Sequence, residues 1–119
     1  MAQDRPTASE LITAIADFLR EEAITALDRS DPRLGFQMRV AVNSLAILER
    51  EARLGPAADA RERQRLASLL GRDGTLEALN RALAHQLRTG QRDERDAALM
   101  AHLDATIADK IAIANPKWR

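Results

Sequence analysis

Apolar residues recur every three or four positions along this chain, and an alternation of period two never persists. A period near 3.6 belongs to helices with one wet and one dry side, whereas a half-buried strand needs a period of two. Leu11, Ile12, Ile15, Phe18 and Leu19 begin the pattern, and Leu99, Met100, Leu103, Ile107 and Ile111 close it. Nor do β-branched residues gather beside turn signals as strands would require. The expected fold class is all-α.

Helix punctuation divides the pattern into about five helices. Thr7-Ala8-Ser9-Glu10 fits the S/T-x-x-E capping box, so the first helix should start there and run to about Leu27, stopped by Ser30-Asp31-Pro32. Asp31 as N-cap with Pro32 in the first turn opens a second helix over about 32–54, because proline's missing N–H is not needed there. Gly55-Pro56 should close it, leaving a third helix over about 57–70 that ends at Gly71 and Gly74. Leu76, Leu79, Leu83 and Leu87 define a fourth helix, ending near Gly90. Asp93 or a neighbour caps the fifth, which stops before Asn115-Pro116. Short connections favour antiparallel neighbours, hence one compact bundle and a single helical domain over residues 1–119.

A chain of 119 residues can bury roughly two-thirds of its unfolded surface, enough for one core. Basic and acidic residues balance at 18 each. No net field collects nucleic acid or an anionic membrane, and the three aromatics, Phe18, Phe36 and Trp118, make a poor base-stacking platform. Cysteine is absent, so disulfides and thiolate metal sites are excluded. With no apolar signal core at the polar N-terminus and no run near the roughly 18 apolar residues of a membrane span, a soluble cytoplasmic protein is expected.

The second helix is the unusual one. At 100° per residue, Leu34, Met38, Ala41, Val42, Leu45 and Leu48 gather within about 60° of one direction, and Phe36, Val40, Ile47 and Leu54 gather opposite. Two apolar faces suggest a central helix covered on both sides. Asn43 falls inside the second face, with Arg39 and Arg50 at its edge. Three charges also intrude on apolar faces: Glu22 on the first helix, Glu49 beside Leu45, and Lys110 between Ile107, Ile111 and Ala114. Architecture explains these residues if Asn43 is a satisfied core amide that fixes helix docking and the three long side chains reach out to water. Function explains them if Arg39, Asn43, Glu49, Lys110 and Glu22 surround an interhelical pocket that binds an anion or an acyl-CoA-related ligand.

Catalytic constellations do not emerge. His85 and His102 fall off the apolar stripes, lack the acid of an H-E-x-x-H pattern and are expected in solvent. There is no G-x-S-x-G, P-loop or G-x-G-x-x-G, and the glycines mark helix ends. No catalytic residue, metal ligand or cofactor is assigned. An enzyme would have to use Lys110 or a carboxylate of shifted pKa.

The segments QDRPTASELITAIADFL, RVAVNSLAILEREARLGP, LLGRDGTLEALNRALAHQLRTG and LMAHLDATIADKIAIANPKWR, taken in order, resemble a bacterial family of domains of unknown function. The most specific pieces are DRPTA, R-V-A-x-N with a following R-E, and A-x-K-x-A-x-x-N-P; the terminal Lys117-Trp118-Arg119 departs from the aromatic expected after Pro-Arg. The motif falls on Arg39, Asn43, Arg50, Glu51 and Lys110. The resemblance implies no activity. It does imply a setting beside acyl-CoA dehydrogenases and kinases resembling aminoglycoside phosphotransferases, and so a partner enzyme of one of these kinds.

Three readings therefore stand: a non-enzymatic helical accessory module that docks on a partner enzyme, a small-ligand binder or minor enzyme using the interhelical pocket, and a homodimer built on leftover apolar surface.

Overall fold

The computed structural model describes residues 4–117, so the terminal Trp118-Arg119 departure lies outside the described residues. Among them every regular element is helical. Helix α1 (Ala8–Phe18) passes through a π-helical turn, Leu19–Ala23, directly into α2 (Ile24–Ser30). Then come α3 (Pro32–Leu70), α4 (Leu76–Arg88) and α5 (Ala97–Ala114). With α1, the π-turn and α2 taken as one continuous stretch, the described residues form four helices rather than about five.

The missing boundary is at Gly55-Pro56, where the second and third expected helices are one. A glycine ends a helix by taking a left-handed φ, and only Gly71 and Gly90 do so among the described residues. Pro56 keeps a helical φ by ring geometry and withholds one hydrogen bond, which strong helix formers on both sides outweigh. The other signals act as written. Thr7 and Glu10 form the reciprocal capping box, with Glu10 N–H donating to Thr7 Oγ1 at 3.1 Å and Thr7 N–H to Glu10 Oε1 at 3.0 Å. Asp31 Oδ1 accepts from Leu34 N–H, Thr75 caps α4, and Asp96, three residues beyond Asp93, caps α5.

The contacts fall into two compact units, one up to Leu54 and one from Gly55. In the first, α1–α2 lies antiparallel to the start of α3: Ser9 Oγ donates to Glu49 Oε1 at one end, and Arg39 pairs with Asp28 at the other. The core is Ala16, Ile24 and Val42, with Leu19, Met38 and Leu45 packed around it. The π-turn supplies this register. A regular helix would follow Ala16 and Leu19 inward with Ala23, but one extra residue in the turn brings Ile24 to the core instead. Gly35 is buried where α3 crosses α2; a Cβ there would sit 2.6 Å from Asp28 Oδ1.

In the second unit Leu66, Leu79, Leu83 and Leu99 form a leucine core drawn from α3, α4 and α5. Full burial of each contributes roughly 1.5–3 kcal/mol. Arg92 ties the same helices together in the α4–α5 loop, donating to the Leu69 carbonyl at 2.9 Å, Gln86 Oε1 at 3.0 Å and Asp96 Oδ2 at 3.4 Å. The face of α5 turned to α3 is polar. Arg65 reaches His102 and Thr106, and Arg61 reaches Asp109. The expected stripe Leu99, Met100, Leu103, Ile107, Ile111 is therefore divided: Leu99 is buried, while Met100, Leu103 and Ile107 face solvent.

Candidate functional site

Of the residues singled out in the sequence, Arg39 and Asn43 line one groove in the first unit. Its walls are Arg20, Ile24, Thr25, Asp28, Arg39, Val42 and Asn43, enclosing about 390 Å³. The π-turn and α2 supply one wall and α3 the other. Most of its polarity is already engaged: Arg39 is paired with Asp28, Arg20 Nη1 lies 3.3 Å from Asp17 Oδ1, and Thr25 Oγ1 donates to the Glu21 carbonyl. Asn43 is exposed and makes no side-chain hydrogen bond among the described residues. It is thus not a core amide, because the face it occupies is not covered.

Glu49 serves the hairpin. It accepts from Ser9 and from Arg53 Nε at 2.8 Å, and the Arg53 hydrogen bond, helped by Ser9, holds its carboxyl below the usual range. Glu22 is exposed and unpaired among the described residues. Lys110 belongs to the second unit, where it too is exposed.

These intruders share a cause. Glu22, in the π-turn, follows Leu11, Ile15 and Phe18 of α1 at helical spacing, Asn43 interrupts Phe36, Val40 and Ile47, and Lys110 continues Met100, Leu103 and Ile107. All three apolar stripes are solvent-exposed, Phe18 by 60%, Phe36 by 66% and Ile107 by 53%. The second face of α3 is uncovered among the described residues, contrary to the expectation of a helix covered on both sides. Leu34 and Leu48, at the edge of the face turned to α1, are exposed as well. Polar residues on such stripes cost little, since water reaches them.

Sequence reasoning missed a second groove, within the second unit. Arg61, Gln64, Arg65, Ser68 and Leu69 of α3 face Ala98, Ala101 and His102 of α5 around a space of about 710 Å³. His102, expected in solvent, is 5% exposed. Its Nδ1 accepts from Arg65 Nε at 3.3 Å, so the neutral ring carries its proton on Nε2. Burial, reinforced by the Arg65 charge and opposed by Glu62, pushes its pKa below the ordinary value. The available signal was the spacing Leu99, His102, Thr106, Asp109, one face of a helix opposite arginines at 61 and 65; an apolar-stripe search passes over it.

No three His, Asp or Glu side chains are grouped to hold a metal ion among the described residues, and no described helix is long and apolar enough to cross a membrane. A family model described as Domain of unknown function (DUF6285) matches residues 28–118, most of the chain. The chain belongs to that family. The DUF6285 match takes in the whole Arg65 groove but only Asp28, Arg39, Val42 and Asn43 of the first, and leaves out the DRPTA opening, α1 and the π-turn with Glu22. Comparison with curated proteins returns no match, and comparison with solved structures returns none.

Proposed function

We propose that this DUF6285 chain is a helical interaction module that works by docking rather than by bond making. The observation that carries the reading is the set of exposed apolar stripes, each with one polar residue in it. Large apolar side chains repeated along one helix face and left in water mark surfaces that a partner covers. Glu22, Asn43 and Lys110 then act as polar checkpoints that penalise a wrong partner, since each needs a matching group once desolvated. The partners suggested by the resemblance are an acyl-CoA dehydrogenase or a phosphotransferase-like kinase, in the cytoplasm.

The test measures binding of the purified chain, and of its Phe18→Glu, Val40→Glu and Ile107→Glu variants, one per stripe, to each of those purified enzymes. These positions are exposed, so thermal stability should stay within about 0.5 kcal/mol of the parent. At least one variant should lose tenfold or more in affinity. A parent chain that binds neither enzyme and is monomeric by light scattering defeats the interaction reading.

A second reading, self-association, has its own support. The Asn43 amide is donor and acceptor at once, and can pair with its own copy on the Phe36-Val40-Ile47 stripe. A dimeric mass that Val40→Glu converts to monomer selects this reading. The interhelical-pocket reading around Arg39 and Asn43 is weaker, because Asp28 already neutralises Arg39.

A further inference from the structure

The Arg65 groove in the second unit has features that docking does not use. Arg65 is half-buried, yet its two hydrogen-bond partners, His102 Nδ1 at 3.3 Å and Thr106 Oγ1 at 3.1 Å, are uncharged. Arg92 is buried to a similar degree and has the Asp96 carboxylate at 3.4 Å; Arg65 forms no ion pair among the described residues. Nearby acids are occupied elsewhere: Glu62 Oε2 accepts from Asn80, and Asp109 Oδ1 accepts from Arg61. A guanidinium has five N–H donors, and the two acceptors engage only Nε and Nη2, so Nη1 is unused. Its fork is held in place by neutral groups, and no carboxylate of the described residues lies within ion-pair distance of it.

The surroundings suit a molecule rather than a bare ion. Gln64, next to Arg65 in the chain, and Ser68, one turn further on, line the same wall, and neither makes a side-chain hydrogen bond among the described residues. Leu69, Ala98 and Ala101 supply an apolar surface, and the two alanines leave the space open where larger residues would close it. A volume of about 710 Å³ falls within the roughly 300–1,000 Å³ of small-molecule sites.

We propose that this groove binds a small organic oxyanion, with its carboxylate or phosphate on the Arg65 guanidinium and its apolar part against Leu69, Ala98 and Ala101. His102 and Thr106 are positioning residues. They hold the fork by Nε and one Nη2 hydrogen and leave the Nη1–Nη2 edge for the ligand. A planar two-donor edge suits either oxyanion, so carboxylate and phosphate are the two sources to separate.

The experiment is an amide NMR titration of the full chain with hexanoate, hexyl phosphate, inorganic phosphate and hexanol. Expected are saturable shifts confined to residues 61–69 and 98–106 with one hexyl anion, the tighter of the two naming the oxyanion class. Inorganic phosphate and hexanol should each bind at least tenfold more weakly. Arg65→Gln should cost tenfold or more in affinity, and Ala101→Leu, which fills the apolar part while keeping the guanidinium, should do the same. Arg39→Gln in the other unit should change nothing. If Arg65→Gln unfolds the chain, Ala101→Leu carries the test alone. The proposal is overturned if neither hexyl anion shifts these amides, if hexanol matches the anions, if inorganic phosphate matches hexyl phosphate, or if the folded variants bind like the parent.

Discussion

Two polar side chains in the second unit contribute through burial. Arg92 satisfies the Leu69 carbonyl at the end of α3 while holding Gln86 and Asp96. Arg92→Ala strands that carbonyl and should cost about 2–4 kcal/mol in urea unfolding; a loss under 1 kcal/mol would show the loop holds without it. His102 makes stability pH-dependent. Its folded pKa lies below the ordinary 6.5, so the unfolded chain takes up the proton first as pH falls. The contribution is complete above about pH 6.5 and is lost as pH drops through the folded value. His102→Gln, which keeps an acceptor for Arg65, should flatten the unfolding midpoint between about pH 7 and pH 5, and an unchanged slope would assign the effect elsewhere. Glu49, whose folded pKa is lowered by Arg53, has the same sign in a lower window, beneath its ordinary 4.5. Arg92 was not legible as a site residue, because a hydrogen bond across 23 positions leaves no local pattern, and the spacing of His102 with Thr106 and Asp109 does not say which arginine 37 positions away it meets.

At the scale of elements, local chemistry spoke clearly at the starts of helices. Thr7, Asp31 and Thr75 cap because a side-chain oxygen reaches an N–H two or three residues ahead, which neighbouring residues alone decide. Gly55-Pro56 misled for the complementary reason: glycine ends a helix only if its φ turns positive, and the flanking turns of α3 keep it helical. Replacing Pro56 by alanine restores the missing N–H and removes the ring's crowding of the preceding turn. The substitution should raise stability by about 1–3 kcal/mol in thermal unfolding followed by circular dichroism. No gain would mean that α3 is interrupted there. The π-turn over Leu19–Ala23 is the other silent feature, since its five-residue step from Leu19 to Ile24 shows only once Ile24 and Val42 are known to meet.

At the scale of the molecule the two units differ in how much they bury. Ala16, Ile24 and Val42 are a thin core beside Leu66, Leu79, Leu83 and Leu99. Amides of α1 and α2 should therefore exchange faster than those of α4 in native-state hydrogen exchange; the reverse order would place the stable core in the wrong unit. Binding a partner on the Phe18 stripe should slow exchange in the first unit first. The sequence by itself determined the helical class, the capped starts and the identity of the awkward residues Glu22, Asn43, Glu49 and Lys110, because periodicity and capping act within a few residues of chain. Only the tertiary structure decided which apolar stripe faces inward, since a helix with two such faces has no local reason to prefer either. That choice placed Asn43 and Lys110 in water, buried His102, and left Arg65 with a charge that no carboxylate of its own unit pairs.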